Sequence, residues 1–243
     1  MTVEPLSLSP VGTEMLDDPA ADPGAVAESL RNITRSNRWF GGAAAVRHGL
    51  RRVLAGVPAG TELTLLDLGT GAGDLPLAAV RHATRAGIRL RPIGLERSRV
   101  AAALARASGV TCAVACAGAP PLREKSVDLV LVSQLIHHLA PGSAVRLFRT
   151  CDRLARVGVV IADLRRGALA PLAFRVGARA LGFDPVTLAD GLTSIRRGYT
   201  AGELRSLLEA AGIAGWVGRR PGYRLVATWR PHGSTPPAAV ERR

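Results

Sequence analysis

The densest chemistry in this sequence lies in one short stretch, Leu65-Leu66-Asp67-Leu68-Gly69-Thr70-Gly71-Ala72-Gly73-Asp74. Glycines spaced in this way let the backbone turn sharply after a strand and bring amide N–H groups close to a ligand at a helix N-terminus. Glu96 follows 27 positions after Gly69 (96 minus 69). A carboxylate at such a place can accept two hydrogen bonds from ribose hydroxyls. Dinucleotide loops carry a third glycine where this chain has Asp74. Asp67 and Asp74 crowd the bend with negative charge, which suits a ligand with cationic sulfonium and ammonium groups better than a diphosphate. The plainer alternative is a tight βα turn that binds nothing.

A second group sits in Ser133-Gln134-Leu135-Ile136-His137-His138-Leu139, directly after the apolar run Val127 to Val132. A histidine at the end of a strand can take a proton as a general base, with His138 the first candidate and His137 the second. Either can equally bond the loop or pack beneath a ligand. Asp163 ends the run Val157 to Ala162, where it can orient an acceptor or cap the following helix.

These residues need a scaffold, and the hydrophobic pattern supplies one. Strands are expected at Leu63 to Leu68, Leu90 to Leu95, Val110 to Ala115, Val127 to Val132, Val157 to Ala162, Ala214 to Val217 and Tyr223 to Trp229. Helices are expected at Ala25 to Arg38, Ala43 to Leu54, Asp74 to Thr84, Ser98 to Ala107, Gly142 to Leu154 and Ala201 to Ala211. Strands separated by helices imply an α/β fold with a mostly parallel sheet covered on both faces. Residues 1–24 and 231–243 collect Pro, Gly and polar groups and read as a flexible arm and tail around a domain at 25–230. An interruption at about 164–199 reads as a cap insertion, since it leaves the carboxyl edge of a strand where ligands sit. Within it Ala168 to Phe183 reads as one amphipathic helix that lines an apolar pocket, lies on anionic lipid, or simply packs.

With 243 residues, 47% hydrophobic, the chain can bury one sizeable core. The net charge of +13 is almost all arginine, because Lys125 is the only lysine. Aromatics at 4% do not interleave with the basic residues, so a solvated arginine surface fits better than a nucleic-acid footprint. Weak contact with an anionic membrane surface stays open. Three cysteines without CxxC spacing fit a reducing cytoplasm and argue against a disulfide framework or a metal site. Nothing in the sequence fixes an oligomeric state.

From Asn37 to Trp229, and most specifically in LDLGTGAGD, the chain resembles class I S-adenosylmethionine-dependent methyltransferases. It is most similar to the small ubiquinone and menaquinone type and to relatives that tailor phenolic or polyketide products in secondary metabolism. The resemblance implies a Rossmann-like seven-stranded, mostly parallel sheet whose last strand is an antiparallel hairpin partner, with N-terminal helices and a helical cap. It implies S-adenosylmethionine as cofactor, with Gly69, Thr70, Gly71 and Gly73 around the methionyl part, Asp67 behind them, Glu96 on the ribose and Ser133 nearby. The acidic place that flanks adenine in such families falls on Cys116, followed by Ala117, so backbone groups there are expected to serve. The Cys116 side chain itself reads as a small buried hydrophobe. Arg38, in a segment that resembles one closing over the cofactor, would clamp the methionyl carboxylate or lie exposed. The implied activity is methyl transfer to a small-molecule acceptor, with O-methylation of a phenolic or quinol-like compound first. C-methylation of a quinone ring is the alternative, and an RNA acceptor a more distant one.

Overall fold

Seven apolar runs pair into one sheet in the computed structural model, which describes residues 6–232. The strands are β1 (Glu62–Leu68), β2 (Arg89–Glu96), β3 (Thr111–Val114), β4 (Val127–Ser133), β5 (Ala155–Leu164), β6 (Trp216–Arg220) and β7 (Arg224–Trp229). Their order is β3-β2-β1-β4-β5-β7-β6, parallel except for β7, which runs antiparallel to both neighbours. Helices α1 (Pro23–Trp39), α2 (Gly42–Val53), α3 (Asp74–Arg85), α4 (Arg99–Ala107), α5 (Pro141–Leu154), α6 (Ala170–Ala180), α7 (Pro185–Arg197) and α8 (Ala201–Ala210) complete the described chain.

Continuous apolar runs bury both faces of such a sheet, because successive side chains point to opposite sides. Leu65, Leu129 and Leu131 pack with Val46 and Leu50 of α2 and Ala79 of α3. Leu66, Leu68, Val130 and Val132 pack on the other side with Phe148 of α5 and Leu204 of α8. The chain winds outward from β1 to β3 and then returns to β4 beside β1. The crevice where ligands collect in open α/β sheets therefore opens at the carboxyl ends of β1 and β4. Both chemistry-bearing loops leave from those two ends.

One expectation needs an addition and another a correction. The helix expected at Ala168 to Phe183 is α6, and the cap holds a second, α7, that was not expected from the sequence. Asp184 accepts hydrogen bonds from the Val186 and Thr187 N–H groups, both at 2.9 Å, and starts α7 with Pro185 in its first turn. Residues 6–22, read from composition as part of a loose arm, lie along the body. Ser9 N–H donates to the His138 carbonyl at 2.7 Å, and Leu8 bridges Leu139. Arg197 of α7, 5% exposed, donates to the Val11 and Gly12 carbonyls and pairs with Glu14 at 3.0 Å and Asp17 at 2.8 Å. Composition missed this because the two acids are tied by a residue some 180 positions away. Residues 1–5 and 233–243, the remainder of the expected arm and tail, lie outside the described residues.

Breaking a buried ion pair by removing one partner leaves the other charge stranded. Arg197→Met is expected to release residues 8–18, raising their amide hydrogen exchange by at least tenfold while the β1 and β4 amides keep their protection. Unchanged exchange along 8–18 would contradict this account of the strap.

Candidate active site

The loop after β1 is built by glycine conformation. Gly69, Gly71 and Gly73 have φ of +75°, +56° and +84°, a region that side chains rarely adopt. The bend carries the chain from β1 into α3 and turns Gly71 N–H toward Glu96, whose Oε2 accepts it at 3.0 Å. The other oxygen of Glu96 accepts from Ser98 N–H at 2.9 Å, so both are aligned at the end of β2. Gly73, expected near the cofactor, is not among the residues that border the cavity. A Cβ there would stand 2.9 Å from Val110 and 3.4 Å from Ala105, so this glycine lets α3 begin against the end of α4 and the residue before β3.

Three carboxylates gather at this bend. Asp67 is fully enclosed, accepts from the Thr70 hydroxyl at 2.8 Å through Oδ2, and leaves Oδ1 with no partner. Burial pushes its pKa up to about 7, and the charges of Asp74 and Glu96 push the same way. Asp74 is also raised by burial, against the hydrogen bond it accepts from Asn37 at 3.0 Å. A single cationic ligand relieves all of this strain at once.

The bend forms one wall of a cavity of about 740 Å³, a volume suited to a cofactor together with an acceptor. Gly69, Thr70, Gly71, Glu96, Cys116, Ala117 and Ser133 all border it. Cys116 is exposed toward the opening, not buried as its type suggested. Arg38 is also displaced from its expected role. It points to solvent with its guanidinium 5.5 Å from the Trp39 ring, because its neighbour Asn37 takes the inward face of α1.

Asn37 and Gln134 were not singled out from the sequence. Gln134 Nε2 donates to Asn37 Oδ1 at 2.5 Å, and Arg224 Nη1 donates to Gln134 Oε1 at 3.0 Å. This row crosses the cavity from the hairpin of β7 to Asp74. Gln134 sits at φ +51°, a turn no local motif announces. For Arg224 the available signal was an arginine opening a strand that is otherwise apolar.

The histidine pair divides into two roles. His137 is 3% exposed and its Nδ1–H donates to Asp163 Oδ1 at 2.6 Å. Asp163 also accepts from the Leu135, Ile136 and Leu164 N–H groups. Burial alone would raise its pKa, yet His137 and these bonds outweigh burial and hold it below the ordinary value. His138 stacks on His137 with ring centroids 4.2 Å apart, and its Nδ1 lies 3.0 Å from Asp17 and 3.1 Å from Arg197. Glu14, His137 and His138 bring atoms of ligand type within 4.8 Å of one another, but Arg197 already supplies the cation there.

Comparison with known proteins agrees with this geometry. Residues 66–162 match a family model described as a methyltransferase domain. The plantazolicin methyltransferase BpumL, solved with SAH, is similar at TM-score 0.63 and 13% identity, over 89% of this chain and 93% of that one. An S-adenosylmethionine-dependent methyltransferase from Aquifex aeolicus is similar at TM-score 0.56 and 16% identity, over 86% and 98%. Magnesium protoporphyrin IX methyltransferase from Synechocystis PCC 6803, also with SAH, is similar at 0.51 and 16%, over 79% and 84%. At these identities the likeness establishes the fold. Among curated proteins no sequence matches.

A carboxyl whose pKa is higher folded than unfolded binds more protons in the folded state. Stability contributed by protonated Asp67 is therefore lost as pH rises from about 4 through about 7. Asp67→Asn is expected to flatten the fall in apo melting temperature between pH 5.5 and 8, and to weaken S-adenosylmethionine binding by about tenfold. A wild-type pH profile and affinity in the variant would contradict it.

Proposed function

We propose that the chain is a class I S-adenosylmethionine-dependent methyltransferase that methylates an oxygen of a phenolic or quinol-like small molecule, a reading supported by the methyltransferase-domain match over residues 66–162. The observation that supports this reading is His137, which borders the cavity with its Nδ1 held 2.6 Å from Asp163. S-adenosylmethionine supplies an electrophilic methyl group on a sulfonium, a leaving group that needs no further activation. Asp67, Asp74 and Glu96 hold its positive charge, and Thr70, Gly71, Cys116 and Ala117 border its length. The residues left to the protein are those that place the acceptor, exclude water and remove its proton.

His137 is the proposed base. Asp163 fixes the tautomer by accepting the Nδ1 proton, so that Nε2 can take the phenolic proton as the new O–C bond forms. His138, read first from the sequence, is tied into the Asp17 and Arg197 cluster and acts as a positioning residue beneath its neighbour. The acceptor wall is aromatic: Phe40 meets Phe174 and Phe183 edge to face at 5.8 and 6.4 Å between centroids, and all three rings border the cavity. Such a wall suits an aromatic acceptor and supports a tailoring step of secondary metabolism. Methylation at a ring carbon would use the same wall without needing the base. Unpaired cysteines support a cytoplasmic setting. Among the described residues no helix is long and apolar enough to cross a membrane. The outer face of α6 exposes Leu172 and Val176 beside Arg175 and Arg179, with Leu169 just before it, which supports a weak contact with an anionic membrane surface.

His137→Gln is expected to lower single-turnover O-methylation by about 10² to 10⁴-fold, with S-adenosylmethionine affinity kept. The assay detects a one-methyl mass gain across a panel of phenols, quinols and alkyl-chain aromatics. Full rates from pH 6 to 9 would remove the base, and gain at carbon alone would favour the alternative acceptor atom. Cosedimentation at low salt is expected with vesicles containing anionic lipid and not with neutral ones, and Leu172→Glu with Val176→Glu should abolish it. Absence of any binding would exclude the surface contact.

A further inference from the structure

Arg224 opens β7 opposite Leu164 of β5, borders the cavity and is 3% exposed. The turn before it lies against the end of α1, because Gly41 and Gly222 leave no Cβ where the backbones meet. A Cβ on Gly222 would stand 2.3 Å from the Phe40 carbonyl. That approach delivers Arg224 Nε to the same carbonyl at 3.0 Å, while Nη1 reaches Gln134. Both acceptors are neutral. Among the described residues Arg224 forms no ion pair, unlike Arg197, the other deeply buried arginine, which holds two carboxylates. Asp163 is the carboxylate whose charge reaches it, but that group is engaged with His137 and three backbone N–H groups. Burial lowers the Arg224 pKa to about 10, where it remains a cation at neutral pH.

A buried guanidinium without a counter-ion is costly, and beside a cavity the missing anion can come with a ligand. We propose that Arg224 is an anion subsite for the acceptor, which is an aromatic acid. Its carboxylate pairs with the free side of the guanidinium while its ring lies against Phe40, Phe174 and Phe183. This rests on the methyl-transfer reading of the same cavity. The cofactor's methionyl carboxylate offers the same chemistry, but Gln134 and Asn37 stand between Arg224 and Asp74 at the glycine bend. Along this row the charge is polarised, with Asp74 at the glycine bend and Arg224 at the far end.

The test is titration calorimetry of the full chain saturated with S-adenosylhomocysteine, using 2,4-dihydroxybenzoate and 2,4-dihydroxybenzamide as probes. Wild type is expected to bind the acid at least about tenfold more tightly than the amide. Arg224→Met should abolish that preference, Arg224→Lys should retain part of it, and S-adenosylhomocysteine affinity should stay within about twofold. Equal binding of acid and amide by wild type, or binding of neither, overturns the proposal with no variant required. Loss of S-adenosylhomocysteine affinity in Arg224→Met with the acid preference intact assigns the arginine to the cofactor and also overturns it. Failure of wild type to bind S-adenosylhomocysteine at all would instead strike the methyl-transfer reading itself.

Discussion

Negative charge confined at a glycine bend is the constraint on which this molecule is organised. Asp67, Asp74 and Glu96 converge where β1 turns into α3, and the innermost of them keeps an oxygen that meets no donor. Folding alone does not favour such an arrangement, since burial and the charges of Asp74 and Glu96 raise the cost of ionising Asp67. It persists because the surrounding sheet fixes it: β1 is paired on both sides, and its leucines are buried on both faces. A cation of the right size converts the liability into affinity. The same economy explains why the bend uses backbone N–H groups sparingly, Gly71 N–H being already aligned on Glu96 rather than offered to a phosphate.

The rest of the chain closes and shapes the space opposite that bend. Helices α6 and α7 and the strap at residues 6–22 form a roof that lines the cavity with apolar groups such as Leu16 and Phe174 and with acids such as Glu14, Asp17 and Asp190, held by the buried Arg197 cluster. The strap is the element of that roof held largely by polar contacts. Asp163 lies in β5, near its carboxyl end, and His137 lies in the short turn Ile136–His138 that follows β4, where the bond to Asp163 holds its ring.

The fold was legible because its signals are local. Seven short apolar runs predicted the strand positions, the family resemblance implied the antiparallel hairpin at the end of the sheet, and a glycine bend bracketed by acids marked where Asp67, Asp74 and Glu96 converge. What sequence left obscure was pairing at a distance. Arg38 and Asn37 are adjacent, and only the packing of α1 decides that the asparagine turns inward. His137 and His138 look equivalent until Asp163 selects one and Asp17 the other. Arg224 is one of many arginines in a chain where that residue is common, and its significance lies in the partner it lacks. The arm at 6–22 reads as loose because Glu14 and Asp17 acquire their meaning from an arginine on α7.

The account stands on the bend's charge being answered by the ligand, and proton linkage measures that directly. Asp67, raised to about 7, is partly protonated in the free protein at neutral pH, and a cationic ligand favours its ionised form. Calorimetric titration with S-adenosylmethionine at pH 7, repeated in buffers of different ionisation enthalpy, should show protons released on binding, and Asp67→Asn should remove most of that release. Absence of binding, or binding with no change in protonation, would contradict the central claim.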